Sequence, residues 1–456
     1  MVLKIKKIRW LTKNAAVAAM LAGLAVNAAG AKAQMSLSSA VELALKNDPR
    51  MKMAQADVMK AKSSLAEAHD AYSPAVGFDP GYGQSAGAPL GMPMIFNLTA
   101  QSLLFSVSQF YNVRGASAGV QSAQLALRAM GEEVAEDVVL TYLNLDNAER
   151  RQAAMTEEYG VVTRLITIMQ ERLDAGVENR IELLKAQRTA AQVRIARLST
   201  EDEVTELSEH LTRLVGIDGS RIVPMSDSIP AFPVMQVEEN EAQDSAGIQA
   251  AFQTAKSKQD IATGAARYRF LPQILLAGNF SQIDTSPSAS KFLQYYPAFQ
   301  GKQTLSASIS FQAQFSLFDR AREDRAHEAS ADALHARYDA EHQRAQFLAG
   351  RSKLKHSIAV LEAKSDLAKV ECDLAQAQLD AVTSQLTAGN EGLQMSPKDE
   401  QNARLQERQR YVDMLQGQME LRQAEVNLMR QTGQLDAWLN LALKMPASRP
   451  ATAIRP

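Results

Sequence analysis

One cysteine, Cys372, is all that this chain of 456 residues contains, together with 6 histidines and 2 tryptophans. A single thiol cannot close an intrachain disulfide, so packing or assembly must hold the fold. His327, His335 and His342 share one helical stretch. The last two stand two turns apart, about 10 Å, too far to share a metal, and read as solvated side chains. The sequence has no HExxH, no Gly-rich phosphate loop and no nucleophile elbow. No catalytic residue, cofactor or metal is expected, and the protein does not read as an enzyme. An excess of basic charge is also missing: the formal net charge is −2, which argues against a nucleic-acid partner. Beyond the N-terminal region every apolar run is broken by charges within about 18 residues, so no helix is expected to span a membrane. If the chain enters a bilayer, it does so by strands.

The N-terminal region has its own pattern. Lys4, Lys6, Lys7, Arg9 and Lys13 precede the apolar run AAVAAMLAGLAVNAAG, and Ala31-Lys32-Ala33 follows with small residues where a signal peptidase reads. Residues 1–33 are therefore expected to be a signal peptide, cut before Gln34. They carry six basic and no acidic residues, so their removal lowers the net charge of −2 by six, to −8.

Proline is missing between Pro93 and Pro224, between Pro297 and Pro397, and from there to Pro446. Because Pro costs about 3 kcal/mol inside a helix, these tracts are where long helices are possible. Ala, Leu, Gln, Glu, Arg and Met dominate them, which suits that reading. The first long helix is expected from about Gln109 to Ala175 and the second from about Asp319 to Ala388, each about 100 Å long. Val360, Leu367, Leu374 and Ala381 recur every seven residues, with Ala363, Val370 and Ala377 interleaved. That is a coiled-coil seam rich in Ala, allowing close approach. Leu421, Leu428 and Leu435 repeat the theme beside Ala424 and Trp438.

Before each rod the period changes to two. In QTLSASISFQAQFSLF, Leu305, Ala307, Ile309, Phe311, Ala313 and Phe315 fall on one face, and Thr304, Ser306, Ser308, Ser310, Gln312 and Gln314 on the other. Strict alternation of this kind is a strand with one apolar and one polar face. Its partner is FLPQILLAGNFSQID, and YSPAVGFDPGYGQ with MIFNLTAQSLLF form the counterpart pair in the first half. Four strands cannot close a barrel, and unpaired edges are prohibitive in lipid. Copies must assemble, and a cyclic trimer would supply twelve strands.

The chain thus reads twice. Residues 34–235 form a first repeat, with strands about 72–105 and a helical hairpin about 109–216. Residues 236–445 form a second, with strands about 270–317 and a hairpin about 319–443, and 446–456 are a tail. RLDAG ending at Gly176 answers QLTAG ending at Gly389.

From SLSSAVELALKNDP at Ser36 to QTGQLDAWL ending at Leu439, the sequence resembles the TolC family of outer-membrane efflux channels. The opening AVELALKNDP, the YSP before the first strand and the two Gly-marked breaks carry the likeness by their order and duplication. The resemblance implies a mainly α fold with a transmembrane β-barrel contribution. Three protomers would close one 12-stranded barrel and a helical tunnel through the periplasm. It implies a passive duct of an efflux or type I secretion system, in the outer membrane and in contact with its lipid. Its partners would be a periplasmic adaptor and, through it, an inner-membrane pump. A periplasmic adaptor or a structural coiled-coil protein of the envelope is the alternative.

The family pattern makes the breaks the periplasmic tips, with Gly176, Val177, Gly389 and Asn390 touching the adaptor. Position by position it puts gate residues at Asp399 and Glu182, with Asn402 about one turn beyond Asp399. The second tip is about four residues longer because of NEGL, and Asn390 and Glu391 stand where a basic residue often follows the tip Gly.

Overall fold

A computed structural model of the chain describes residues 33–81, 94–217, 221–233, 244–267, 271–284, 305–315, 319–388 and 396–444. Eight helices are found among them. They are α1 (Leu37–Asn47), α2 (Pro49–Asp70), α3 (Val107–Asp174), α4 (Arg180–Val215), α5 (Ala246–Ala266), α6 (Arg320–Ala388), α7 (Pro397–Thr432) and α8 (Leu435–Lys444). The strands are β1 (Ala33–Met35), β2 (Ala75–Gly81), β3 (Met94–Phe105), β4 (Ile222–Pro224), β5 (Gln273–Asp284) and β6 (Leu305–Gln314). The hairpins α3–α4 and α6–α7 have 68 and 36 residues against 69 and 36. Each long arm has a contour of about 100 Å. No helix among the described residues is long and apolar enough to cross a membrane.

The chain forms two compact units. One takes Met1–Met53, Ala129–Ser245 and Phe347–Pro456. Its core packs Leu37, Val41 and Ala44 of α1 against Val134, Val138 and Tyr142 of α3, Val204 and Leu211 of α4, Val426 and Met429 of α7, and Trp438 of α8. Tyr142 is fully buried, which raises its phenol pKa above the ordinary value. Its hydroxyl donates to the Met35 carbonyl at 2.7 Å and accepts from the Met225 amide at 2.6 Å. Those bonds tie down the short parallel pair β1–β4, which aligns Ala33 with Ile222 and Met35 with Pro224.

Four helices of this unit follow one another side by side. Leu183 and Ala186 of α4 pack on Leu165 and Met169 of α3. Helix α3 meets α7 through Asn147, whose amide donates to the Leu415 carbonyl at 2.9 Å, and through Gln423, which donates to Asn144 at 2.8 Å. Helix α7 meets α6 through the Arg410–Glu371 ion pair at 2.9 Å and at Gly417, where an added Cβ would lie 3.7 Å from Ala368. The order is α4–α3–α7–α6, with α4 and α6 outermost.

Two sequence expectations change here. The Val360, Leu367, Val370 and Leu374 seam is exposed, each residue by more than half. The face that α6 buries is set one to two positions along, at Cys372 and Ala375. The leucine series through Leu421, Leu428 and Leu435 is interrupted, because Gly433 at φ 71° ends α7 before Leu435 opens α8. A positive φ favours glycine, and the turn redirects the chain where the heptad alone reads as continuous.

The second unit takes Ala54–Arg128 and Ala246–Gln346. It holds an antiparallel sheet of order β2-β3-β5-β6. Pairing sets Phe78 beside Leu98, Leu98 beside Phe280, and Phe280 beside Ala307. One face therefore carries Val76, Phe78, Leu98, Phe280, Ile309 and Phe311, and the other Thr99, Asn279, Ser308 and Ser310. Ile309 is 79% exposed and Phe311 74%. Pro80 lies in β2, at the edge of the sheet within one chain, the place in a sheet where proline is tolerated. Below the sheet α3 and α5 approach closely: a Cβ on Gly115 would fall 2.7 Å from Ile261, and one on Gly264 would fall 2.8 Å from Tyr111.

Candidate functional site

The first break is a compact turn. Helix α3 stops at Asp174, and Gly176 takes φ +70°. The Gly176 amide donates to the Leu173 carbonyl at 2.9 Å and the Val177 amide to the Arg172 carbonyl at 2.9 Å. Such bonds occupy the carbonyls a helix end leaves unpaired. Asn179 then starts α4 by accepting the Glu182 amide on its side chain at 3.0 Å. Gly176 and Val177 are exposed at the turn. Gly389 and Asn390, with the whole NEGL segment, lie outside the described residues.

The second returning helix, α7, starts at Pro397 with Ser396 as its cap. Asp399 stands three residues after that cap. Its Oδ2 accepts the Ser396 amide at 2.8 Å and the Ser396 hydroxyl at 2.9 Å. One carboxylate oxygen is thus committed to holding the helix start, and the residue is half-buried. Asn402 is exposed one turn further on.

Between the two helix starts lies a chain of charges that the sequence did not disclose. Lys398 Nζ is 3.2 Å from Glu178 and 3.6 Å from Glu182. Arg172 holds the other oxygen of Glu178 at 3.1 Å, and Lys185 holds Glu182 at 2.7 Å. The hydrogen bond from Arg172, then that from Lys398, keeps the Glu178 carboxyl below the usual carboxylate range. Lys185 first, then Lys398, does the same for Glu182. Within one chain Glu182 is therefore accompanied by cations, and its pKa falls. Like-charge crowding would have raised it. The sequence signal was present but scattered: Glu178 and Lys398 are 220 residues apart.

No group of His, Cys, Asp or Glu suited to a metal occurs among the described residues. The arrangement is a chain of ionic contacts joining two helix turns, in one unit of the chain, while the other unit presents a sheet with a largely apolar face.

Residues 40–217 match the family model described as outer membrane efflux protein. A comparison with curated protein sequences gave no significant match. Among solved structures, CusC, described in connection with transmembrane channel formation, is 15% identical, with a TM-score of 0.71 over 87% of this chain and 92% of its own. The outer membrane channel CmeC of Campylobacter jejuni is 16% identical, with a TM-score of 0.69 over 90% of this chain and 89% of its own. The outer membrane protein VceC of Vibrio cholerae is 17% identical, with a TM-score of 0.69 over 87% of this chain and 96% of its own. The family resemblance read from the sequence agrees with these findings: residues 40–217 match the outer membrane efflux protein model, and the chain has the fold of these solved outer-membrane channels.

Proposed function

We propose that the protein is the outer-membrane channel of an efflux or type I secretion system. Three copies close a twelve-stranded barrel in the outer membrane and a helical tunnel in the periplasm. The observation that carries this reading is the open sheet. Among the described residues the outer edges of β2 and β6 pair with no further strand, and one face carries the exposed side chains of Val76, Phe78, Ile309 and Phe311. In lipid each unpaired backbone group costs several kcal/mol, so such a sheet is viable in a bilayer only when copies close it. The family match and the fold of known outer-membrane channels agree with that need.

In this reading residues 1–33 direct export, and the two repeats meet the periplasmic adaptor with their tips, at Gly176, Val177, Gly389 and Asn390. Through the adaptor the duct is joined to an inner-membrane pump. Asp399, Glu182 and Asn402 narrow its periplasmic end. The test is fractionation of expressing cells, with the outer-membrane fraction run on gels with and without heating. A heat-modifiable species of three protomers is expected. A soluble monomer with no membrane fraction would sink the proposal.

A further inference from the structure

Helix α5 packs differently on its two neighbours. Toward α3 it is drawn in by glycine: a Cβ on Gly115 of α3 would fall 2.7 Å from Ile261, and one on Gly264 of α5 would fall 2.8 Å from Tyr111. Toward α6 the facing residues leave a cavity of about 320 Å³. Its apolar wall is Ala262, Ala266, Ala333 and Leu334. Leu334 is 52% exposed, so the chain leaves apolar surface uncovered here. A concave space of this size, mostly apolar with a few polar groups, is the usual form of a small-molecule site.

The polar groups are of one sign. Arg267, at the end of α5, and Arg337, on α6, both line the cavity, and no carboxylate does among the described residues. Arg267 is positioned without an acid: its guanidinium lies over the Tyr111 ring at 5.1 Å and donates through Nη1 to the Tyr111 hydroxyl at 2.7 Å. Most of its N–H donors are left over. Arg337 donates through Nε to Glu341, one turn along α6, at 3.0 Å and keeps its terminal amino groups. The hydroxyls in the wall are already spent. Thr263 donates to the Gln259 carbonyl at 2.8 Å, and Ser330 to the Ala326 carbonyl at 2.7 Å. The side-chain donors that remain are the guanidiniums and the Gln259 amide.

That wall selects both the charge and the shape of a ligand. A cation would meet two like charges, and a neutral apolar molecule would leave both guanidiniums unused. An acid group on an apolar body satisfies both parts of the wall. The planar fork of an arginine matches a carboxylate, with charge-assisted bonds, while the body covers Leu334 and the alanines.

We propose that the cavity between α5 and α6 binds a small organic anion with an apolar body, of the aryl carboxylate class, with its acid group on Arg267 and Arg337. One chain supplies every lining residue, so the site does not depend on how many copies assemble.

The test is equilibrium dialysis of naphthoate against the full-length purified protein at low salt, with naphthamide as its uncharged counterpart and detergent alone as the blank. Naphthoate is expected to bind saturably, one molecule per chain, and naphthamide about tenfold more weakly. Arg267→Gln with Arg337→Gln is expected to lower naphthoate binding about tenfold and leave naphthamide unchanged. Ala266→Leu, at an exposed position in the wall, narrows the cavity and is expected to lower binding of both. Arg194→Gln removes an exposed cation on α4, away from the cavity, and is expected to change neither. Naphthoate that binds no better than naphthamide, binding that survives the double arginine change, or no saturable binding would each overturn the site. The channel reading is decided separately, by fractionation and heated gels, and stands or falls without it.

Discussion

The Lys398 ammonium bridges Glu178 and Glu182, at 3.2 and 3.6 Å, and so ties the start of α7 to the turn that ends the other hairpin. Each contact is between side chains at a helix terminus, and neither is buried in an apolar core. Lys398→Glu replaces both attractions with repulsion. In planar-bilayer recordings this variant is expected to open more readily than the parent while trimer yield is unchanged. The difference should shrink at high salt, since exposed charges are screened. Identical opening at low salt would show that the bridge does not hold the closed state.

The same contacts set a pH dependence. Glu178 and Glu182 both have depressed pKa values in the folded chain. A depressed carboxyl pKa contributes stability that is present above its unfolded value, about 4.3, and is lost as pH falls through the folded one. Channel opening should therefore be flat from neutral pH down to the ordinary glutamate range and rise only below it. In Lys398→Ala the rise should begin at higher pH, because one source of the depression is gone. A rise centred near neutrality would point to a histidine instead.

The sheet makes a sharper test. Ile309 faces with Phe280 and Phe311, whereas Ser308 faces with Asn279 and Ser310. An Arg at mid-bilayer on the lipid face costs roughly 2–4 kcal/mol. Ile309→Arg is expected to impair trimer assembly and Ser308→Arg to be tolerated better. Equal trimer yields from the two would contradict the assignment of faces.

That assignment was legible in the sequence because period-two alternation leaves each residue one face or the other. The long rods were legible for a similar reason: proline is absent, and α3 begins at Val107 and α6 at Arg320, close to the predicted starts. The partner of a seam was not legible. Val360 to Leu374 reads as a packed face, and only the structure shows that α6 buries its Cys372 side instead. The bend at Gly433 was hidden inside a leucine heptad, since glycine there differs from glycine elsewhere only in its φ. The charge chain at the tips was hidden by separation, because local patterns carry no information on what Lys398 meets.

Tyr142 gives a stability prediction independent of the channel. Its hydroxyl accepts the Met225 amide and donates to the Met35 carbonyl in a fully buried setting. Tyr142→Phe leaves both groups without that partner, at a cost of about 1–3 kcal/mol each before relaxation. Denaturant unfolding should shift accordingly, while α3 itself persists by circular dichroism. An unchanged midpoint would show that water or the nearby Ser228 hydroxyl replaces the phenol.

The turn at Gly176 separates tip shape from assembly. At φ +70° a Cβ added there meets no atom within 4 Å, but the backbone of any other residue is strained. Gly176→Val is expected to weaken efflux in cells while leaving the trimer intact, because in the proposed channel the altered turn would face the adaptor. Site-specific crosslinking from Val177, and from Asn390 on the other tip, should capture a periplasmic adaptor. Capture of only extracellular or lipid partners would refute the topology.

Asp399 tests the gate, and the capping bonds decide how. Threefold assembly would bring three copies of Asp399 and three of Glu182 around one axis, and a ring of carboxylates favours cations in a constriction. Asp399 Oδ2 also accepts two bonds from Ser396, so Asp399→Ala would remove a helix cap together with a charge. Asp399→Asn separates the two, since the amide oxygen can still accept both bonds while the charge is gone. Asn is expected to lower cation selectivity and weaken block by multivalent cations, with the helix start unaltered. Glu182→Gln should have the smaller effect, because Lys185 and Lys398 already offset that carboxylate. Recordings belong at low ionic strength, where fixed charges are least screened. If Asp399→Asn then conducts like the parent while Asp399→Ala does not, the residue serves the α7 cap and the gate lies elsewhere.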